Sequence, residues 1–244
     1  MKFPDYSDRR QFSRRDSVNI NFKIIIRREF LWGNSHWKFS CGVMDNISNS
    51  YLKYKICVSG AARTECCAEG AMEATKELGR EIVRQNGIVV TGATTGAPYW
   101  AAIGAKEEGG ISIGFSPASS ELAHVKTYHL PIDYFDMIVY TGFEYSGRNL
   151  ILTRASDAVI IVCGRLGTLN EFTIAFEDKK PIGILTGSGG MADQLEEIIK
   201  NGHRGSGKIV YESNPKKLVE KLVEIIKKEK DIEVDFSPGR GGGE

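Results

Sequence analysis

Ala158-Val159-Ile160-Ile161-Val162-Cys163-Gly164-Arg165-Leu166-Gly167-Thr168-Leu169-Asn170-Glu171 is the stretch on which the fold turns. Its first five residues are apolar and mostly β-branched, a run of strand length without polar alternation, which predicts a strand buried in a parallel sheet. The Gly-x-x-Gly-Thr behind them lets the backbone turn sharply, and the spacing from Phe172 to Asp178 predicts a helix. In that order of strand, glycine turn and helix, the first helical N–H groups are unpaired and face the turn. Those donors and the helix dipole favour an anion, the dipole by about 0.3–1 kcal/mol when exposed and up to ~2 kcal/mol when partly buried. Phosphate is the expected ligand.

The same alternation extends in both directions. Runs at residues 55–59, 88–91, 111–115, 137–141, 158–162, 181–185 and 208–211 predict strands, with helices at 65–85, 98–108, 147–156, from 168, at 191–201 and at 215–228. This order predicts an α/β fold, a Rossmann-like, doubly wound, mostly parallel sheet of about seven strands with helices on both faces. Right-handed crossovers collect the strand C-termini on one edge, where ligands of this architecture bind.

Composition narrows the class. The 244 residues carry 32 Lys+Arg against 31 Asp+Glu and are 41% hydrophobic, which suits one ordinary soluble domain and implies no global nucleic-acid-binding field. No apolar stretch approaches the roughly 18–20 residues of a membrane span, and residues 1–15 are charged where a signal peptide is apolar. A cytoplasmic protein without membrane contact is expected. The five cysteines show no C-x-x-C and the four histidines no H-E-x-x-H, so no metal site is expected. Vicinal Cys66-Cys67 are expected as reduced, partly buried thiols near a helix start rather than a redox or soft-metal pair. Cys163 is expected as a small apolar residue ending a strand rather than a nucleophile.

Residues 1–50 break the alternation, with Arg9-Arg10, Arg14-Arg15 and Arg27-Arg28 among polar residues. They read either as a basic arm for nucleic acid or as a poorly ordered extension ahead of a start at Met44. Residues 51–230 form the phosphate- or nucleotide-binding domain of this reading, and 231–244, rich in glycine, a flexible tail.

Glycine turns follow four of the strands: Ser59-Gly60-Ala61-Ala62, Thr91-Gly92-Ala93-Thr94-Thr95-Gly96-Ala97, the turn from Cys163 to Thr168, and Thr186-Gly187-Ser188-Gly189-Gly190. Gly60, Gly92, Gly96, Gly164 and Gly167 permit close backbone approach, and Thr95 and Thr168 offer hydroxyls to phosphate. No G-x-G-x-x-G and no G-x-x-x-x-G-K-[ST] occurs, which argues against dinucleotide reduction and NTP hydrolysis.

The predicted helix 147–156 runs back from one sheet edge, and the strand 158–162 returns to it, so Arg148 is expected beside Gly164 to Thr168. Glu171 lies one turn into the next helix. An arginine, a carboxylate and a phosphate cradle would then converge. A competing reading makes Thr168-x-x-Glu171 a capping box, the cap worth about 0.5–2 kcal/mol.

With these residues in view, Cys163 to Glu171 resembles the P-G-G-x-G-T-x-x-E motif of the LOG ("lonely guy") phosphoribohydrolases, formerly labelled lysine decarboxylases, in the superfamily shared with the DNA-processing protein DprA. The similarity runs over residues 55–228. Gly147-Arg148-Asn149, Ser156-Asp157-Ala158-Val159, Lys180-Pro181-Ile182-Gly183 and Gly187-Ser188-Gly189-Gly190 are more closely similar to the DprA/Smf-related branch that includes molybdenum-cofactor carrier proteins. The resemblance implies catalytic Arg148 and Glu171, hydrolysing a nucleoside 5′-monophosphate to free base and ribose 5-phosphate, with no cofactor required. The alternative it implies is a carrier or sensor that holds a phosphorylated cofactor such as molybdopterin without turnover, and the third an accessory role in DNA processing. A homodimer is also implied. The motif's proline is Cys163 here, its second glycine is Arg165 and the lysine after the motif arginine is Asn149. Arg165 either adds a cationic phosphate contact or fills the pocket. Pyridoxal phosphate chemistry requires a Schiff-base lysine, and none stands in these loops; Lys179 and Lys180 fall on the opposite edge.

Overall fold

The computed structural model describes residues 52–230. The basic segment 1–50, the alternative start at Met44 and the tail 231–244 lie outside the described residues.

The strands are β1 (Tyr54–Gly60), β2 (Gly87–Thr91), β3 (Ser112–Ser116), β4 (Met137–Tyr140), β5 (Ala158–Val162), β6 (Ile182–Leu185) and β7 (Ile209–Glu212). The helices are α1 (Ala71–Arg84), α2 (Ala97–Glu107), α3 (Glu121–Lys126), α4 (Glu144–Ala155), α5 (Leu166–Glu177), α6 (Leu195–Gly202) and α7 (Pro215–Lys230). All seven strands pair in parallel, in the order β4-β3-β2-β1-β5-β6-β7. The direction of winding reverses between β1 and β5, so the crevice that a doubly wound sheet offers to ligands opens at their C-terminal ends.

The alternation of side chains along the two central strands builds two cores. Ile56, Val58, Ile160 and Val162 face Leu78 and Ile82 of α1, Ala101 and Ala105 of α2, and Leu218 and Leu222 of α7. Cys57, Val159 and Ile161 face Leu152 of α4, Phe172 and Ala175 of α5, and Leu195 of α6. All five residues of β5 are buried, as a strand covered on both faces requires.

Four helices depart from expectation, α6 by beginning at Leu195 rather than residue 191 because Ala192–Gln194 form a 3-10 turn. The first begins at Ala71 rather than residue 65, because Thr64–Cys66 close a 3-10 turn and Cys67 is diverted into a bridge with Gly189. The fourth begins at Glu144, three residues before Gly147, so Arg148 stands in its second turn. Its Phe143 N-cap carries no capping side chain, and Glu144 enters at φ +54, so no capping signal marks this start in the sequence. The unexpected α3 is short but capped, Ser120 Oγ accepting from the Ala123 N–H at 3.2 Å. Its buried His124 anchors the connection that follows. The Pro131 carbonyl can only accept, so Nε2–H donates to it at 2.9 Å, and in that tautomer Nδ1 accepts from Ser116 Oγ at 2.8 Å, the same hydroxyl accepting from the Ala118 N–H at 3.0 Å.

Candidate functional site

A cavity of about 650 Å³ opens at the β1/β5 switch point, within the roughly 300–1,000 Å³ of small-molecule pockets. Its floor is the end of β1, Val58 to Gly60. Its walls are the β1–α1 connection with Arg63, the β2–α2 turn with Gly92 and Thr95, and the second turn of α4 with Arg148 and Asn149. The β5–α5 turn and first turns of α5 contribute Arg165, Gly167, Thr168 and Glu171. The anchored connection after α3 closes one side with Tyr128, His129 and Leu130, joined by Tyr145.

Eight of the ten residues picked out by sequence thus line one cavity: Gly60, Gly92, Thr95, Arg148, Arg165, Gly167, Thr168 and Glu171. Gly96 and Gly164 stand behind it. Gly164 takes φ +94, a conformation L side chains rarely adopt, and a Cβ there would come 2.5 Å from Thr168 Cβ. Its carbonyl accepts from Met191 N–H at 3.0 Å, so the turn after β6 buttresses the β5 turn from outside the cavity.

Glu171 is 7% exposed, and Ser59 Oγ donates to its Oε2. Adjacent pairing in register places Ser59 beside Ile161, which brings the end of β1 under α5. The capping box does not form. Thr168 lies inside α5 rather than at its cap, Arg165 is the N-cap without a side-chain bond, and Glu171 turns to Ser59 instead of its own backbone. Burial pushes the Glu171 carboxyl above the ordinary carboxylate range, opposed by the nearby Arg148 charge and the Ser59 hydrogen bond. The fully buried Cys57 thiol is pushed well up, by burial and by that same carboxylate, which leaves it unreactive.

Arg148 is 5% exposed and its guanidinium lies against the Gly92 backbone: a Cβ at Gly92 would fall 1.6 Å from Nη1. Its Cζ stands 5.8 Å from the Tyr145 ring centroid, within cation–π range. Arg148 Nε and Asn149 Oδ1 are buried without a hydrogen-bond partner. Leaving such a group unmet costs about 1–3 kcal/mol. Asn149 Nδ2 is used, donating to Asn170 Oδ1 at 3.0 Å and tying α4 to α5.

The thiol expectations for Cys67 and Cys163 are overturned. Cys67 is bonded to Cys163 across 96 residues, with Cα atoms 5.2 Å apart. The Cys163 side chain is fully buried, as a strand-end residue should be, yet it cross-links the β5–α5 turn to the β1–α1 connection. Cys66 remains a thiol, partly buried. Among the described residues no group of three or more His, Cys, Asp or Glu is placed to hold a metal ion, and no helix is long and apolar enough to cross a membrane.

Sequence reasoning did not pick out Ser59, Arg63 or the Tyr128–Leu130 connection as site residues, and it noted Asn149 only as a departure from the motif. Ser59 carried a usable signal, a polar residue ending an otherwise apolar central strand. Arg63 carried another, a basic side chain in the first βα connection. Lys179 and Lys180 line a hollow with Asp157 and Lys208 at the opposite sheet edge, and among the described residues no lysine lines the main cavity.

A parallel sheet in this order, with a small-molecule cavity at its reversal of winding, defines a Rossmann-like, doubly wound α/β protein. The chain belongs to the SLOG cluster4 family, whose model matches residues 53–219. It is similar to the molybdenum cofactor binding protein of the phototrophic bacterium Rippkaea orientalis, at 28% identity and TM-score 0.57 over 74% of this chain and 99% of that one. It is similar also to the molybdenum cofactor carrier protein of Chlamydomonas reinhardtii, at 25% identity and TM-score 0.58 over 72% of this chain and 99% of that one. DNA processing protein A of Helicobacter pylori shares the fold, at 20% identity and TM-score 0.51 over 70% of this chain and 81% of that one.

Proposed function

We propose that this chain is a carrier, holding a phosphorylated, ring-bearing small molecule in the switch-point cavity without turnover, with the molybdenum cofactor as the class of cargo. The observation that carries this reading is the state of Glu171. The one carboxyl that lines the cavity among the described residues is buried, occupied by Ser59 and biased toward its neutral form. A carboxyl with that bias repels an anionic ligand less than an ordinary carboxylate does, and gives weaker support to the positive charge of an oxocarbenium-like transition state. The two cofactor-handling relatives at 25–28% identity support the same choice. The residues fit such cargo. Arg165, Gly167 and Thr168 would receive phosphate at the start of α5, while Tyr145 and Tyr128, packed edge to face with ring centroids 5.8 Å apart, would offer one aromatic surface to a planar ring. We take the assembly as a homodimer, to be checked by light scattering.

Phosphoribohydrolysis is the second reading, favoured by Arg148 and Glu171 sharing one wall. One preparation tests both. Incubated with the molybdenum cofactor and passed through a sizing column, the chain should retain it stoichiometrically, and it should release no base from a panel of nucleoside 5′-monophosphates. Base release that disappears in Glu171→Gln would overturn the carrier in favour of the hydrolase.

Gly92→Ala offers a second test. The backbone at this position needs no special conformation, but the new Cβ displaces the end of the Arg148 side chain. The variant should unfold within about 1 kcal/mol of the parent. Its affinity for the phosphorylated ligand should fall by about tenfold or more, the loss of a charge-assisted hydrogen bond. Calorimetric titration and urea unfolding of the same sample check the pair.

A further inference from the structure

Seven arginines lie among the described residues, and they divide cleanly. Arg80, Arg84, Arg154 and Arg204 each pair with a carboxylate on the protein surface. Arg63, Arg148 and Arg165 have no carboxylate within 4.0 Å among the described residues, and all three line the one cavity. Three unpaired guanidinium groups around a single hollow repel one another unless an anion joins them. Among the described residues Glu171 is the only carboxyl that lines this cavity, and it is held by Ser59.

The arrangement of the three is fixed by the chain. The Cys67–Cys163 bond holds the β1–α1 connection against the β5–α5 turn, and Cys66 Sγ lies 3.6 Å from the Gly164 carbonyl oxygen. Exposed Arg63 and exposed Arg165 therefore stand on two stapled loops at one side of the mouth. Arg148 lies deeper, over Gly92, with Nε unmet. A phosphate monoester brings about −1.5 to −2 charges. Against three arginines it leaves roughly one positive charge uncompensated, and a second phosphate removes that excess.

We infer that the ligand carries two linked phosphates, one seated on the first turn of α5 with Arg165 and the other clasped by Arg63. The inference rests on the phosphorylated-ligand reading above and, because a cofactor with a single phosphate would leave Arg63 unengaged, narrows it to a diphosphate-bearing molecule such as a nucleoside diphosphate or a dinucleotide form of the cofactor. Arg63 is thus a specificity residue, and Arg165, standing where the related motif has glycine, is the anchor common to both ligand types.

Calorimetric titration of the full chain with adenosine mono- and diphosphate, free of magnesium and at fixed ionic strength, tests this. The diphosphate should bind about tenfold or more tighter, the worth of one added charge-assisted contact. Arg63→Met should erase that preference while sparing monophosphate affinity, and Arg165→Met should weaken both. Both side chains are exposed, so neither variant threatens the fold. Equal affinity for the two nucleotides, binding of neither, or a preference that survives Arg63→Met overturns the inference. A chain that still retains the molybdenum cofactor under any of these outcomes keeps the carrier reading while losing the diphosphate.

Discussion

Reduction of the Cys67–Cys163 bond is expected to lower the unfolding free energy by about 2–5 kcal/mol, the upper end matching the ~4.7 kcal/mol of chain entropy for a closed loop of about 100 residues. The link here spans 96. At roughly 2–4 °C per kcal/mol for a domain of this size, the melting midpoint should fall by about 4–20 °C. The local setting adds to the effect. Cys163 sits at φ +40, and its backbone is held by Ser188 Oγ at 2.8 Å from its N–H and by the Ala192 N–H at 2.8 Å from its carbonyl. Cys67 bridges Gly189, and Ala68 N–H donates to the Ser188 carbonyl at 2.9 Å. The bond thus joins the connections after β1, β5 and β6, and its loss should loosen the side of the cavity that carries Arg63 and Arg165. Urea unfolding with and without a phosphine reductant, alongside the Cys67→Ser/Cys163→Ser double variant, measures the difference. Cys66→Ser should unfold as the parent does and should keep its response to reductant. A double variant with parental stability would mean that the bond contributes nothing.

That bond also marks where the sequence stops being legible. The sheet could be read because its information is local: five apolar residues at 158–162 and a glycine turn announce a strand and a helix wherever they occur. Arg148 and Glu171 could be brought to one edge by counting the rise of a helix against that of a strand. Partnerships across the fold leave no such trace. Ser59 and Glu171 are 112 residues apart, and only the register of β1 on β5 brings them together. The capping box was a sound local alternative, and it lost because α5 starts at Leu166, two residues before Thr168, freeing Glu171 to reach inward. The cysteine pairing escaped for a related reason. Cys67 was assigned to the start of a helix that begins four residues later, and in its true extended segment it reaches Cys163. The Tyr128–Leu130 wall depends on His124, whose two ring hydrogen bonds to Ser116 and Pro131 no periodicity announces.

Glu171→Gln separates the carrier from the enzyme by moving stability and chemistry in different directions. The carboxyl's pKa in the folded chain is raised by burial above its ordinary value of about 4.3. Below that ordinary value the group is protonated in folded and unfolded chains alike, and its contribution to stability is fully present. As pH rises through the raised folded value, the unfolded chain ionises first and that contribution is lost. Glutamine is neutral throughout and its carbonyl oxygen can still accept from Ser59, so the variant should match the parent in acid and become the more stable of the two as pH rises. Urea midpoints taken across the pH range read this as a widening gap, and a gap that is constant or reversed contradicts the assigned shift. Glu171→Ala should instead destabilise at every pH, because the buried Ser59 hydroxyl then lacks its acceptor, a loss of about 1–3 kcal/mol. On the carrier reading Glu171→Gln keeps its ligand, and it holds it more tightly than the parent does once pH has risen far enough to ionise the parent's carboxyl, because no carboxylate develops beside the phosphates. A hydrolase would behave in the opposite way, its rate rising with pH as the carboxylate forms and falling about 10²–10⁴-fold in the glutamine variant.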